Sequence, residues 1–314
     1  MKKFAFVFPG QGSQSVGMLD GWGDHPVVVQ TLAEASEALG EDLGLLIKQG
    51  PREALALTTN TQPVMLVAGV AAWRVWRAEG GALPDAVAGH SLGEYSALVA
   101  SGALTLAQAA PLVRLRAAAM QEAVPVGTGA MAAVLGLDAE KVKAVCAQVT
   151  TQLGGSEVVE AVNFNDPAQT VIAGSKLAVE QACEAVKAAG AKRALPLPVS
   201  APFHSSLMKP AAEKLKAALA ETVLAVPEIP VINNIDVAVQ QDADAIREAL
   251  YRQAFGPVRW VECVQALKAR GATHIVECGP GKVLTGMTKR IDPELVGASL
   301  YDPATLAETK ELLA

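Results

Sequence analysis

Histidine is scarce in this chain: the 314 residues hold four, His25, His90, His204 and His274. Chemistry that needs an imidazole near neutral pH must draw on one of those positions. Cysteine is equally scarce. Cys146, Cys183, Cys263 and Cys278 form no C-x-x-C pair and no metal-like spacing with the histidines, which argues against a redox motif or a zinc site and for isolated buried thiols. Positive charge is short as well, with 26 basic against 32 acidic residues and a net charge of −6. With no basic run to track a phosphate backbone, nucleic acid is excluded as the main partner. Long apolar runs are missing too. The run after Met1-Lys2-Lys3 stops at Phe8 before Pro9-Gly10, too short for a signal peptide. Pro63 to Trp73 is too short to cross a bilayer. The expectation is a cytoplasmic protein with no membrane association.

What is present is apolar and organised. At 51% hydrophobic and 18% charged residues, the chain can bury a large core. Phe4–Phe8 predicts a buried strand closed by Pro9-Gly10, and Pro63–Glu79 a buried helix. Asp85–Ala88 predicts a second strand, and Gly93–Ser101 a helix with Glu94 in its positive first turn and Gly102 as its stop. Thr105-x-x-Gln108 offers a capping box to a helix that Pro111 should kink or restart. Alternating strands and helices make the class α/β. Between residues 128 and 198 the order becomes β-α-β-β-α-β, a ferredoxin-like unit. Beyond it the α/β pattern resumes, with the strand His274–Glu277 before Cys278-Gly-Pro-Gly281. One large domain, residues 1–127 and 199–314, is thus interrupted by a small one, residues 128–198.

Gly89-His90-Ser91-Leu92-Gly93 sits between a predicted strand and a predicted helix, the context in which G-x-S-x-G makes a nucleophile elbow. Glycines permit the sharp turn, and the helix that follows aims its first amides at developing negative charge. A Gly-rich turn with a capping serine is the plainer alternative. A serine nucleophile needs a base. His90 adjoins it but points elsewhere, His25 lies in a polar segment, and His274 opens an apolar strand. His204, in the loop after the small domain, is left by elimination. Asp166 and Asp236 are both open as the group that orients it. Gly10-Gln11-Gly12-Ser13 lacks the third glycine of a dinucleotide loop, because Ser15 stands there. Such a loop suits a close backbone approach to the site.

Phe8-Pro-Gly-Gln-Gly-Ser-Gln14, Gly89-His-Ser-Leu-Gly-Glu-Tyr-Ser96, Gln121-Glu-Ala-Val-Pro125 and Gly279-Pro-Gly-Lys-Val-Leu-Thr285 together resemble the malonyl-CoA:acyl carrier protein transacylases. The match runs from residue 4 to about 291. The resemblance implies an α/β-hydrolase-like large subdomain with a ferredoxin-like insert. It implies Ser91 as nucleophile, His204 as base and acid, and amides of Gln11 and Leu92 as the oxyanion hole. It places the orienting group for His204 in a main-chain carbonyl near Gln253 rather than a carboxylate, with Gln253 counted among the substrate-binding residues. Arg116 becomes the holder of the malonyl carboxylate, a pairing that suits a guanidinium. Periodicity alone puts Arg114 and Arg116 on the flanks of their helix. Phe203, ahead of His204, stands where many bacterial members have a small residue. Its bulk implies a preference for malonyl over methylmalonyl, and simple packing is the alternative.

The implied activity is ping-pong malonyl transfer from coenzyme A to the phosphopantetheine thiol of acyl carrier protein, for fatty acid elongation. Both are substrates, and no metal or cofactor is called for. The chain is expected to act as a monomer. An acidic carrier needs a local basic surface, for which Lys187, Lys192, Arg193, Lys282, Lys289 and Arg290 are candidates. An esterase or thioesterase would share the elbow and base without needing Arg116. A non-catalytic binding domain would form no acyl-enzyme.

Overall fold

A computed structural model describes residues 2–199 and 201–314. Among the described residues nine strands fall into two sheets. β1 (Phe4–Phe8), β2 (Ala86–Gly89), β7 (Val231–Ile232), β8 (His274–Cys278) and β9 (Val296–Leu300) form a parallel sheet in the order β7-β2-β1-β8-β9. β3 (Gly129–Leu135), β4 (Val159–Asp166), β5 (Gln169–Ser175) and β6 (Arg193–Pro196) form an antiparallel one in the order β4-β5-β3-β6. The class is mixed α/β. No helix among the described residues is long and apolar enough to cross a membrane.

The parallel sheet is apolar on both faces because helices cover both. Alternation along β1 sends Phe4, Phe6 and Phe8 into one core and Ala5 and Val7 into another. Phe6 meets Trp73 and Trp76 edge-on, at centroid distances of 5.7 and 5.4 Å. The antiparallel sheet builds a third core with helices Ala139–Gln152 and Lys176–Ala188. The two sheets are tied where Val258 bonds β4: its amide donates to Val162 O (2.8 Å) and its carbonyl accepts from Phe164 N (2.9 Å).

Two prolines act differently from expectation. The helix read as Pro63–Glu79 runs from Thr58 to Ala78. Pro63 cannot donate to the carbonyl four residues back, that of Thr59. Arg114 supplies the missing donor, its Nη1 lying 2.7 Å from Thr59 O. The helix capped by Thr105 and Gln108 runs unbroken from Leu106 to Glu122. Pro111 is its sixth residue, so only one intrahelical bond is forfeited near the end and no restart is needed.

Candidate active site

Ser91 is the turn between β2 and the helix Gly93–Ala100, and its φ is +52°. L-residues avoid that region, so the conformation has to be held in place by neighbours. Space explains the flanking glycines. A Cβ at Gly89 would lie 1.9 Å from the Gly93 carbonyl carbon, and one at Gly93 would lie 2.1 Å from Phe8 O. Side chains hold the main chain of Ser91 from both sides. Its amide donates to Asn234 Oδ1 (2.7 Å), and its carbonyl accepts from Gln253 Nε2 (2.9 Å).

Ser91 Oγ lies 2.7 Å from His204 Nε2. His204 also has a positive φ, +65°, and is buried. Its Nδ1 is 2.9 Å from Gln253 O. A carbonyl can only accept, so Nδ1 carries the proton and Nε2 is left free to accept from the hydroxyl. Burial, and then the charge of Arg116, push the imidazole pKa down to about 3, so the ring is neutral near pH 7. The other histidines are engaged elsewhere. His90 bonds Asn165, His25 caps a helix and His274 meets Thr273. Neither aspartate reaches His204: Asp166 is paired with Arg290 and Asp236 with Arg252.

Arg116 corrects the periodicity argument. Rather than flanking solvent, it is 2% exposed. Its helix packs against helices Pro26–Leu39, Thr58–Ala78 and Lys209–Glu221, so the flanks are interior. Nη1 donates to Gln62 Oε1 (2.6 Å), and Nη2 to Gln253 Oε1 (3.0 Å) and Ser91 Oγ (3.1 Å). The guanidinium carbon sits 5.5 Å from the centroid of the Tyr95 ring. All three acceptors are uncharged, and Nε has no hydrogen-bond partner among the described residues. A buried cation without a contacting anion is costly, and this one faces the cavity that holds Ser91. Arg114 is half-buried, bound to Thr59, Asn60 and Glu41.

The cavity has a volume of about 410 Å³. Ser91, His204, Arg116, Gln11 and Leu92 line one side, and Met131, Asn163 and Val171 of the antiparallel sheet, with Leu197 just past β6, line the other. The amides of Gln11 and Leu92 have no acceptor among the described residues. Gly10 permits that approach, since a Cβ there would lie 2.6 Å from His90 O. Phe203 is in the wall beside His204. Gln253 is not, being fully buried behind Ser91. Sequence reasoning missed Asn234 and Gln62, two neutral amides in segments without a motif. It read Glu94 as a helix-dipole residue, whereas the carboxylate turns inward to Asn234 N (2.9 Å) and Gln253 Nε2 (3.0 Å). Burial raises its pKa to about 7.

Known proteins resemble this chain over nearly its whole length. The profile of the family described as acyl transferase domain matches residues 5–293. The malonyl CoA-acyl carrier protein transacylase of Salmonella typhimurium is 54% identical over 308 residues, 98% of each chain. That of Bacillus subtilis is 46% identical over 307 residues, 98% of this chain and 96% of its own. Among solved structures, the acyl-carrier-protein S-malonyltransferase of Burkholderia pseudomallei is 64% identical with a TM-score of 0.96, covering 98% of this chain and 99% of that one. A malonyl-transacylase solved with its type II polyketide acyl carrier protein is 53% identical with a TM-score of 0.96, covering 99% and 100%.

Proposed function

The chain belongs to the acyl transferase domain family, and on that premise we propose that it moves a malonyl group from coenzyme A to the phosphopantetheine thiol of an acyl carrier protein, supplying fatty acid elongation. The observation that carries the reading is Arg116, a buried guanidinium with only neutral partners, 3.1 Å from Ser91 Oγ. A carboxylate one carbon beyond the reacting thioester would meet that charge while its carbonyl meets the serine. An esterase has no use for such a group.

In this reading, His204 Nε2 takes the proton of Ser91 as Oγ attacks the malonyl thioester carbonyl. The amides of Gln11 and Leu92 stabilise the oxyanion. Collapse expels the thiolate of coenzyme A, which takes the proton from His204 and leaves a malonyl ester on Ser91. The carrier's thiol then gives its proton to His204 and attacks the ester, and the proton returns to Ser91 Oγ. Gln253 serves through its carbonyl, which fixes the imidazole tautomer, and through its side chain, which steadies Arg116. Phe203 crowds the position of a 2-methyl branch and so favours malonyl over methylmalonyl. The fold supports the same reading. A parallel-sheet unit, residues 1–127 and 199–314, is α/β-hydrolase-like, and the strand order of the insert, residues 128–198, is that of a ferredoxin-like unit.

The test is incubation with malonyl-CoA, with and without acyl carrier protein, followed by mass spectrometry. A malonyl adduct on Ser91 that moves to the carrier is expected. Hydrolysis without transfer would make the protein a thioesterase, and an adduct on any other residue would displace Ser91.

A further inference from the structure

Behind the nucleophile lie three buried side chains: Glu94, Asn234 and Gln253. They close a circuit. One oxygen of Glu94, Oε2, accepts from both the Asn234 amide (2.9 Å) and Gln253 Nε2 (3.0 Å). Asn234 in turn takes the Ser91 amide on Oδ1 (2.7 Å) and donates Nδ2 to Gly89 O (2.7 Å). Gln253 Nε2 also donates to Ser91 O (2.9 Å). The amide of Gln253 therefore has one tenable orientation. Its NH₂ faces two acceptors, so its oxygen faces Arg116 Nη2 at 3.0 Å. Flipped, it would set its NH₂ against a guanidinium and its oxygen against a carboxylate and a carbonyl.

The arrangement also keeps two opposite charges apart. Glu94 has no contact with Arg116, because the neutral amide stands between them. A carboxylate in direct contact would occupy the donors that a substrate anion needs. We propose that Glu94 is a positioning residue for malonyl transfer: through Gln253 it locks the Arg116 guanidinium beside Ser91 while leaving that cation free for the substrate's carboxylate. This rests on the reading of Ser91 and Arg116 given above.

The test measures ester formation on Ser91 from malonyl-CoA and from acetyl-CoA by rapid quench, with thermal unfolding of each variant. Glu94→Ala removes the shared acceptor. It is expected to cut the malonyl rate about tenfold or more, and the acetyl rate by much less, because acetyl has no carboxylate for Arg116 to hold. Glu94→Gln keeps an acceptor oxygen, and its NH₂ can turn to the cavity of about 10 Å³ that Glu94 borders with Asn233 and Gln240. It is expected to recover most of the malonyl-to-acetyl ratio. If Glu94→Ala does not fold, Glu94→Asp, whose oxygen is drawn back by one methylene, is judged by the same ratio. An unchanged ratio in a folded variant reduces Glu94 to a structural role and overturns the proposal. So does a Glu94→Gln ratio as low as that of Glu94→Ala. Should the wild-type chain form no malonyl ester at all, it is the functional reading that fails.

Discussion

A guanidinium whose partners are Gln62, Gln253 and Ser91 carries its charge in a place where water screens it poorly, so its removal should register on one substrate more than on another. Arg116→Ala is expected to lose about 1.5–3 kcal/mol of malonyl transition-state binding, the worth of a charged hydrogen-bond pair, beyond whatever acetyl transfer loses through the contact with Ser91 Oγ. Kinetics with the two thioesters check it, and equal losses would remove Arg116 from its role. His204 makes a second expectation. With a pKa lowered to about 3, the imidazole should stay neutral from pH 8 down to pH 5 with its proton on Nδ1, which nitrogen-detected NMR reads directly. Titration near 6.5 would contradict it. Linkage gives the sign for stability. The unfolded chain binds this proton between about pH 3 and 6.5 and the folded chain does not, so the stability this neutral ring carries is lost as pH falls through that window.

Glu94 has the opposite sign. Its pKa rises from 4.5 to about 7 on folding, chiefly through burial, so the folded chain binds the extra proton and loses stability as pH climbs between those values. Glu94→Gln cannot titrate. It should gain on the wild type in urea unfolding between pH 5 and 7.5 and show no further gain above, whereas a constant difference would mean that Glu94 ionises normally. Nothing in the sequence announces this. Glutamate in a first helical turn is ordinary, and only the arrival of Asn234 and Gln253 from distant segments turns it inward.

At the scale of elements, local chemistry was legible and tertiary burial was not. The strand Phe4–Phe8, the Thr105–Gln108 capping box and the G-x-S-x-G turn depend on residues next to one another, and each is where the pattern puts it. The helix starts at Thr58, ahead of Pro63, and the carbonyl that Pro63 leaves unpaired is met by Arg114, an arginine of another helix, which no local window contains. The same limit placed Arg116 on a flank, since periodicity describes one helix and not the three packed around it. Arg114 should therefore matter to stability and not to chemistry. Arg114→Ala leaves Thr59 O without this donor and should cost about 1–2 kcal/mol, seen as a lower unfolding midpoint with unchanged malonyl transfer. A loss of transfer in a variant of normal stability would assign it to the site.

On the scale of the whole molecule, the cavity belongs to neither sheet alone: Ser91 and His204 come from the parallel-sheet side, and Met131, Asn163 and Val171 from the antiparallel sheet. A carrier that delivers its thiol to Ser91 must then meet both parts at the rim. Of six candidate basic residues, Lys187 is tied to Glu184 and Arg290 to Asp166. Lys282 lies over the Tyr301 ring, and Lys192, Arg193, Lys282 and Lys289 are all exposed. Lys282 precedes Val283 of the cavity wall, and Lys192 and Arg193 open the segment that reaches the wall at Leu197. An acidic carrier settling across these charges should be slowed by salt, because exposed charges are screened within about 8–10 Å. Charge reversal at Lys192, Arg193 and Lys289 together should raise KM for acyl carrier protein and leave malonyl-ester formation from malonyl-CoA untouched, since the first half-reaction needs no carrier. If KM for the carrier stays where it was, the carrier approaches over another face.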